Sequence, residues 1–359
     1  MPSTIVPKAL KPGSTIAFVS PSARINNEYP AVMSRATSVL KGRGYQVREL
    51  FNSDIGIQSS ITNRLSELRT AFSDPEISAI ICTIGGPSLN ELLPALIADT
   101  ELHNIIRANP KIVVGFSDIT CLHWFLHSVT GLRTFYGPGA IPELGAPESI
   151  EDETSPLAFC ANNLFHAITS REPIGDVPRS VKYAPKYPPF ILDPSSSQPG
   201  ETAPTPEWKW IRPGKAQGRL FGGCLTVMAR LAGVRRIVPD WRGRIVFFET
   251  AMGEDELLGN PIYRVRAGIA DLIAQGVFEE AAGLVVGRPF GYDSPEMKES
   301  YIGVIKELLC EGPLAEKSFP ILFDVDVGHT TPAVTLPLDA LVSLDSEEDK
   351  FAILEPGVV

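Results

Sequence analysis

A serine in the stretch 111–120 is the first residue whose position suggests chemistry. The apolar run Ile112–Val114 predicts a buried strand ending at Gly115, and apolar residues at helical spacing begin after Ser117. We therefore expect Ser117 at a sharp strand-to-helix turn, which exposes a hydroxyl nucleophile at the end of a strand. Position 119 is isoleucine, so the G-x-S-x-G motif is incomplete, and on this stretch alone a helix N-cap is the commoner explanation.

Backbone donors for an oxyanion follow two of the predicted strands. The N–H of Asp118 comes directly after the serine and is the natural first donor. Gly85 and Gly86 follow another apolar run, Ile77–Ile84, and glycine lets a backbone approach a reacting group closely. We expect the Gly85–Gly86 loop to supply the second donor.

His329 is the best candidate for a general base among the five histidines. It follows the predicted strand Ile321–Phe323 in a loop that contains Gly328. A loop on a rigid scaffold can project a side chain into a cleft. An imidazole beside a serine hydroxyl would take the proton of that hydroxyl as it attacks.

The other histidines favour structural roles. His103 lies in a polar helical stretch and is expected to face solvent, and His166 lies near a proline-rich segment. His123 and His127 are four residues apart, as in a zinc-binding helix, but Trp124 stands where that motif has glutamate. With no third ligand apparent, we expect both to pack in the core, and we predict no metal and no cofactor.

Glu249 ends the predicted strand Arg244–Phe248, where a buried carboxylate is costly unless it is paired. An acid that orients a catalytic histidine contacts the second ring nitrogen, and Glu249 is the best candidate for this role. Asp324 and Asp326 are alternatives close to His329. The carboxylates that come next on the chain are expected to be solvated: Glu254, Asp255 and Glu256.

Alternating strands and helices must position these residues. In the first half, strands at 15–19, 77–84 and 112–114 and a helix at 31–41 indicate an α/β domain with a mostly parallel sheet. The second half repeats the pattern. Its strands are predicted at 244–248, 284–286, 321–323, 340–344 and 351–354, and its helices at 261–275 and 301–309.

A proline-rich segment separates the two halves. Residues 173–213 hold 10 of the 32 prolines, and proline fixes φ and removes a backbone donor, which argues against regular elements there. We predict an N-terminal domain over 1–165, a linker or loop over 166–215 and a C-terminal domain over 216–359. Trp208 and Trp210 either bind substrate by stacking or anchor the loop on the second domain, and the sequence favours neither.

Composition argues against several classes of function. The 359 residues carry a net charge of −10 without a Lys/Arg cluster, which argues against a nucleic-acid partner. No apolar run reaches the roughly 18 residues that span a bilayer, and the N-terminus lacks the apolar core of a signal peptide, so we expect no membrane partner. The five cysteines form no CxxC pair, so we expect reduced thiols in a cytoplasmic protein.

Together these stretches resemble the LD-carboxypeptidase and microcin C self-immunity family of serine peptidases. The matching stretches follow the family order and cover nearly the whole chain: 12–22, 68–75, 80–86, 109–120, 137–138, 218–223, 247–249 and 328–332. Cys224 departs from the family pattern, which commonly has asparagine after the paired glycines, and Pro87-Ser88 departs from it as well.

The resemblance implies a Ser–Glu–His triad in which Ser117 attacks, His329 relays the proton and Glu249 orients His329. It also implies an oxyanion hole from the backbone of Asp118 and the Gly85–Gly86 loop. The family fold has a Rossmann-like N-terminal parallel-sheet domain with the serine and a C-terminal α/β domain with the other two residues. The active site lies at their interface, and family members are typically homodimers that need no metal.

Two substrate classes follow from the resemblance. One branch removes a terminal D-amino acid from muropeptides. The other hydrolyses the amide that joins a peptide or aminoacyl group to a nucleotide-like phosphoramidate, and so detoxifies microcin C-type compounds. The segment 173–213 resembles the extended loop of this self-immunity branch, so we expect cleavage of a small peptide or peptidyl-nucleotide. A non-catalytic ligand-binding protein with two lobes around a cleft is the alternative from another class.

Overall fold

The computed structural model describes residues 2–254 and 257–359, and it confirms the predicted α/β class with two domains. The strands are β1 (Thr15–Val19), β2 (Gln46–Leu50), β3 (Ile77–Cys82), β4 (Ile112–Gly115), β5 (Phe135–Tyr136), β6 (Gly175–Asp176), β7 (Lys182–Tyr183), β8 (Ala203–Pro204), β9 (Lys209–Arg212), β10 (Lys215–Cys224), β11 (Arg244–Glu249), β12 (Gly283–Gly287), β13 (Ile321–Val325), β14 (Leu336–Pro337), β15 (Leu341–Asp345) and β16 (Lys350–Ile353).

The α-helices are α1 (Pro30–Gly42), α2 (Ile57–Ser73), α3 (Leu93–Ala98), α4 (Thr100–Ala108), α5 (Thr120–Phe125), α6 (Pro156–Thr169), α7 (Leu225–Leu231), α8 (Ile262–Ala274) and α9 (Pro295–Ile305). Short helical turns of other types lie at Leu89–Leu92, Ser117–Ile119, Leu126–Thr130, Ala140–Leu144, Pro189–Ile191, Lys306–Cys310 and Gly312–Leu314. Across the described ranges, no helix combines the length and the apolarity that crossing a membrane requires.

The N-terminal sheet has the strand order β14-β5-β4-β3-β1-β2, and β1 to β5 run parallel. Successive side chains of a strand point to opposite faces. Ala17, Ile80 and Val113 pack with residues of α2 to α5 on one face, whereas the alternate residues pack with α1 and α6 on the other. Because both faces are covered, the inner strands β1, β3 and β4 are largely apolar, as the sequence predicts.

The C-terminal sheet has the order β6-β16-β15-β10-β11-β12-β13-β9. Its central strands, β10 to β13, run parallel, and the strands next to them on either side, β15 and β9, run antiparallel to them. Buried residues of this domain belong to the same apolar cluster as one face of the N-terminal sheet. The two domains therefore share a continuous core, which holds their strand ends in a fixed relation.

One predicted helix begins earlier than its apolar spacing indicates. The helix expected over 301–309 is α9, and it starts at Pro295. The hydroxyl of Ser294 accepts the N–H of Met297 at 3.2 Å and so caps the first turn. The polar residues of that turn carry no periodic signal, which is why spacing alone missed it.

The proline-rich segment contains more regular structure than its composition predicts. Its last part forms β9, an edge strand in which Trp210 pairs with Leu322 of β13, so the expectation of no regular element is wrong there. Edge strands tolerate neighbouring prolines because one side of the ladder stays unpaired. Its middle part contacts both domains: the Ala184 N–H donates to the Thr331 carbonyl at 2.6 Å, and Phe190 is buried in the N-terminal core.

The chain crosses between the domains a second time near its end. Strand β14 returns to the N-terminal sheet, where Leu336 pairs antiparallel with Tyr136 of β5. The N-terminal domain is therefore not one continuous range of residues, because strand β14 belongs to its sheet. The limits at residues 165 and 215 stay a prediction.

Candidate active site

The candidate site lies where the carboxyl ends of strands from both sheets meet. Gly85 and Ser117 follow β3 and β4 in the N-terminal domain. Glu249 closes β11 in the C-terminal domain, and His329 follows β13. The carboxyl ends of parallel strands are the usual position of sites in open α/β sheets. Here each sheet contributes one such edge.

Ser117 occupies a strained turn. Its φ is +61°, a region that residues other than glycine rarely adopt and that is often retained at functional sites. The turn Ser117–Ile119 begins after Phe116 and has no side-chain cap, so the N-cap explanation does not hold. A Cβ on Gly115 would lie 2.9 Å from Ile119, so Ile119 occupies the space that Gly115 leaves. The incomplete G-x-S-x-G motif is thus compatible with a tight turn.

Ser117, His329 and Glu249 form one chain of hydrogen bonds. Ser117 Oγ lies 2.9 Å from His329 Nε2, and His329 Nδ1 lies 2.7 Å from Glu249 Oε2. A proton on Nδ1 lets the imidazole donate to the carboxylate and accept from the hydroxyl. Glu249 is fully buried and His329 is 4% exposed, whereas Ser117 is half-buried. The serine is therefore the member of the set that solvent reaches most easily.

Gly328 makes room for the buried acid. Its φ is +107°, and a Cβ at this position would lie 2.5 Å from Glu249 Oε2. Any larger residue would collide with the carboxylate. The glycine before His329 thus lets the loop after β13 pass directly over Glu249.

Tyr136 completes the hydrogen-bond network, and sequence analysis did not select it. Its hydroxyl donates to Glu249 Oε1 at 2.6 Å and accepts the Ser117 N–H at 3.0 Å. Burial, followed by the charge of Glu249, raises the pKa of Tyr136 well above its usual value, so the hydroxyl remains a donor. The available signal was the Tyr-Gly-Pro sequence that ends a two-residue strand.

The two predicted oxyanion donors lie on adjacent loops. A Cβ on Gly85 would lie 3.2 Å from Asp118 N and 2.6 Å from Ser117 Cβ, so only glycine fits beside the turn. The Gly85 carbonyl accepts the Ala23 N–H at 2.9 Å. Because the oxygen and hydrogen of a trans peptide point in opposite directions, the Gly86 N–H points away from Ala23. The Asp118 N–H lies in the first turn, where backbone donors have no intrahelical acceptor.

The C-terminal domain contacts the turn that carries Ser117. Thr120 Oγ1 donates to the Ser117 carbonyl at 2.7 Å and accepts the Cys224 N–H at 3.0 Å. The strand register places Cys224 opposite Glu249. Burial raises the pKa of the Cys224 thiol, so at this position the chain has a neutral, weakly polar group where the family commonly has an amide.

The remaining four histidines lie in the core or at the surface. The expectation for His103 is wrong: it is 4% exposed, because its Nε2 donates to the Leu96 carbonyl at 2.6 Å and the ring packs on Phe125. His123 and His127 are buried as expected, and burial lowers the pKa of each to about 4. His166 is exposed.

The alternative acids near His329 have other partners. Asp326 Oδ1 accepts from Arg288 at 2.6 Å, and Asp324 Oδ2 accepts from Lys298 at 2.6 Å. Glu254 is exposed. Asp255 and Glu256 lie outside the described residues.

Trp208 contacts strand β16, and Trp210 contacts the turn that precedes this strand. Trp210 Nε1 donates to Asp349 at 2.8 Å. Trp208 is 9% exposed, with the Arg179 guanidinium 3.9 Å from its ring centroid and Phe351 beside it. These contacts favour the alternative in which the two tryptophans anchor the loop on the second domain. They leave the Trp208 indole with little free surface on which a substrate could stack.

Glu143 is a second buried carboxyl, and no periodic pattern in the sequence marks it. It is 3% exposed, and its Oε2 accepts the Gly139 N–H at 3.0 Å. Burial raises the pKa of Glu143 to about 7, although the hydrogen bond from Gly139 and the charge of His329 both act in the opposite direction. A titratable group in the neutral range therefore lies within electrostatic reach of the site.

Two family models match the chain. The model of the LD-carboxypeptidase N-terminal domain matches residues 16–137, and that of the LD-carboxypeptidase C-terminal domain matches residues 217–344. Together they cover well over half of the chain, and each contains the site residues expected in that domain. The chain belongs to the LD-carboxypeptidase family of peptidases, which confirms the resemblance seen in the sequence.

Relatives align over almost the full length of the chain. A Vibrio cholerae protein that bears a carboxypeptidase name is 30% identical over 352 residues, 96% of each chain. The microcin C7 self-immunity protein MccF of Escherichia coli is 28% identical over 359 residues, covering 96% of this chain and 94% of MccF. A Bacillus subtilis protein named as a murein peptide carboxypeptidase is 27% identical over 355 residues, covering 98% and 95%.

The fold also matches solved structures. MccF in complex with aspartyl sulfamoyl adenosine superposes with a TM-score of 0.83 at 25% identity, over 99% of this chain and all of the other. The chain is thus similar in fold to a protein that binds aspartyl sulfamoyl adenosine, and similar in sequence to relatives from both branches of the family.

Proposed function

We propose that this protein is a serine hydrolase that cleaves an amide bond in a small peptide-like substrate, with Ser117, His329 and Glu249 as its catalytic triad. The observation that carries the proposal is the hydrogen-bond chain from Ser117 Oγ to His329 and on to Glu249, at 2.9 and 2.7 Å. The strained backbone of Ser117 supports it. A ligand-binding protein has no need of a serine held in this way by a remote acid and histidine.

The geometry suggests how the reaction would proceed. Ser117 Oγ attacks the carbonyl carbon while its proton passes to His329 Nε2. Glu249 Oε2 accepts from Nδ1 and stabilises the imidazolium that forms. The N–H groups of Asp118 and Gly86 donate to the oxyanion. His329 then gives its proton to the leaving nitrogen, and water attacks the acyl-enzyme by the same steps.

The leaving group in this proposal is nucleotide-like, as in the self-immunity branch. Tyr187, in the proline-rich segment, is half-buried, and its hydroxyl donates to Met252 Sδ at 3.6 Å. Met252 follows Glu249 by three residues, and the Tyr187 ring lies 4.8 Å from that of Phe290. The contact with Met252 brings an aromatic side chain to the segment that follows the acid, and stacking of a base on such a ring would be worth about 1–3 kcal/mol. Tyr187 thus replaces Trp208 and Trp210 as the proposed stacking residue.

The second candidate is removal of a terminal D-amino acid from muropeptides. The family description and the murein carboxypeptidase name of the Bacillus subtilis relative favour it. Both candidate reactions use the same three residues and differ only in the leaving group. The identity to relatives of either branch is similar, so the assay must separate them.

A side-by-side assay tests the proposal. The protein is incubated with an aminoacyl sulfamoyl adenosine and with an L,D-linked tetrapeptide, and the products are followed by chromatography. We expect hydrolysis of the first substrate, loss of activity in Ser117→Ala, and a several-fold higher KM in Tyr187→Ala. Trp210→Ala is the matched aromatic control and should behave as wild type. Cleavage of the tetrapeptide alone would favour the second candidate, and binding without turnover of either would favour a ligand-binding protein.

The proposal extends to a homodimer, as the family resemblance implies, and to a cytoplasmic location, as the scattered cysteines indicate. Light scattering after size exclusion should give twice the chain mass of 38.9 kDa. A mass of one chain would overturn the dimer. Fractionation of the host cell tests the location.

A further inference from the structure

Asp118 carries a buried carboxylate that joins three separate segments. The side chain is fully buried. Its Oδ2 accepts the Ser22 hydroxyl at 2.5 Å and the Leu89 N–H at 2.9 Å, and its Oδ1 accepts from the Arg230 guanidinium. Ser22 follows β1, Leu89 follows the Gly85–Gly86 loop, and Arg230 lies on α7 of the other domain.

The same residue supplies the first proposed oxyanion donor through its backbone. A side chain held at both oxygens restricts the rotation of its own Cα, and therefore fixes the direction of the N–H on that Cα. An oxyanion donor must be aimed at the position where negative charge develops before the reaction starts. The orientation of the Asp118 peptide therefore depends on the groups that hold its carboxylate.

The second proposed donor belongs to the same network. Ser22 Oγ accepts the Ser88 N–H at 3.2 Å, and the Ala23 N–H donates to the Gly85 carbonyl at 2.9 Å. The loop after β1 thus links the Asp118 carboxylate to the backbone of the Gly85–Gly86 loop. A displacement of Asp118 would disturb both donors together.

Arg230 is the cationic member of this network and comes from the C-terminal domain. Its side chain is 37% exposed, whereas its partner is fully buried. Without the guanidinium, the carboxylate would remain buried with neutral donors only, which is costly. Arg230 also donates to Cys121 Sγ at 3.7 Å, so it contacts both the turn Ser117–Ile119 and the first turn of α5.

We propose that Arg230 is a positioning residue for the oxyanion hole, and that its ion pair with Asp118 lets the C-terminal domain set the direction of a backbone donor in the N-terminal domain. The inference rests on the proposed serine hydrolase function. The residue contacts no reacting atom; it acts through Asp118. Its loss should therefore slow the step in which charge develops and leave substrate binding nearly unchanged.

A fluorophosphonate probe measures this step without knowledge of the substrate. Ser117 Oγ forms a bond to phosphorus, fluoride leaves, and the hydroxyl proton passes to His329. The phosphoryl oxygen gains negative charge in the transition state, so the labelling rate reports on the oxyanion donors. We expect Arg230→Gln to label about 10–100-fold more slowly than wild type, a part of the 10²–10³-fold loss seen when a whole donor is removed.

Steady-state kinetics on the hydrolysed substrate provide the second readout. In Arg230→Gln, kcat should fall by a factor similar to that of the labelling rate, while KM changes by less than about threefold. Arg230→Lys restores the charge without the planar fork and should recover part of the rate. Arg264→Gln is the matched control, because Arg264 pairs with exposed Glu254 in the same domain, and it should behave as wild type.

The outcomes separate this inference from the proposed function. If the wild type does not label at Ser117, the proposed nucleophile fails and this inference fails with it. If the wild type labels and Arg230→Gln labels equally fast, only this inference is overturned. If Arg230→Gln does not fold, Ser22→Ala is the variant to label. It removes a different donor to the Asp118 carboxylate, and both of these residues lie in the N-terminal domain. Slower labelling in that variant supports the network, and an unchanged rate in it overturns the inference.

Discussion

The phenol of Tyr136 donates a hydrogen bond to Glu249 Oε1 at 2.6 Å, on the carboxylate oxygen that the histidine leaves free. The same hydroxyl accepts the Ser117 N–H at 3.0 Å. One side chain therefore links the backbone of the proposed nucleophile to the acid of the proposed triad. Because Glu249 is fully buried, this donor replaces the water that an exposed carboxylate would have.

We predict that Tyr136→Phe lowers kcat about 10–100-fold, because the change leaves a buried carboxylate oxygen and the half-buried Ser117 N–H without their partner, and an unpaired buried polar group costs about 1–3 kcal/mol. The measurement is kcat and KM on the substrate that the wild type hydrolyses. Tyr301→Phe is the control, since Tyr301 is equally buried but its hydroxyl contacts Thr250 at 3.5 Å. Equal rates in wild type and Tyr136→Phe would show that the link has no role in turnover.

Replacing the acid by its amide should leave a measurable rate. Glu249→Gln keeps the shape of the side chain but removes the charge that stabilises the imidazolium. Its one amide oxygen also replaces only one of the two carboxylate oxygens that accept from His329 and Tyr136. We predict a fall in kcat of about 10²–10⁴-fold, less severe than in Ser117→Ala or His329→Ala. The kcat values of the three variants, measured at one pH, give this order. An amide variant as active as wild type would remove Glu249 from the mechanism.

The positions of the proposed nucleophile and acid were predictable because each lies at or just after the end of a strand that the sequence marks clearly. Ile112–Val114 and Phe247–Phe248 are continuous apolar runs, so a glutamate directly after one run and a serine in the turn that follows the other stand out. His329 was found by elimination among five histidines. The general α/β order was predictable for the same reason, since strands buried on both faces are continuous apolar runs.

The supporting residues were not predictable, because their roles depend on contacts between distant segments. Tyr136 lies on a two-residue strand, and Arg230 looks like any surface arginine at a helix end. His103 was expected at the surface because its neighbours in sequence are polar, yet its ring donates to Leu96. The edge strand β9 was missed because its pairing with β13 is decided by the sheet and not by its own composition.

The close contact between the two loops of the proposed oxyanion hole gives a steric prediction. Gly85→Ala would place a Cβ 2.6 Å from Ser117 Cβ and 2.9 Å from its Oγ, which forces the nucleophile to move. We predict that Ser117 reacts at least about 100-fold more slowly in this variant, since small misplacements of reacting groups are costly. The measurement is the labelling rate of Ser117 by the fluorophosphonate probe.

Gly42→Ala is the matched control for this change, because no atom lies within 4 Å of a Cβ at that exposed helix end. It should keep the wild-type labelling rate, with stability unchanged or slightly raised. Normal labelling of Gly85→Ala would mean that the turn adapts easily, and the tight approach of the two loops would then lose its importance.

The buried carboxyl of Glu143 should make stability depend on pH. Its pKa rises from 4.5 to about 7 on burial, so the folded protein binds one proton more than the unfolded chain between these values. The stabilising effect of its protonated form is fully present below about pH 4.5 and is lost as the pH rises through 7. The shift corresponds to about 3 kcal/mol.

We predict that Glu143→Gln unfolds at a higher urea concentration than wild type at pH 8, and at nearly the same concentration at pH 5. Glutamine keeps an acceptor for the Gly139 N–H and carries no charge at either pH. His123 and His127, whose pKa values fall to about 4, weaken both proteins equally below about pH 6.5, so they cancel in the difference. Glu151→Gln, at an exposed position, should show no such difference. A Glu143→Gln variant that is less stable than wild type at pH 8 would mean that the ionised carboxylate is held by a partner and stabilises the fold.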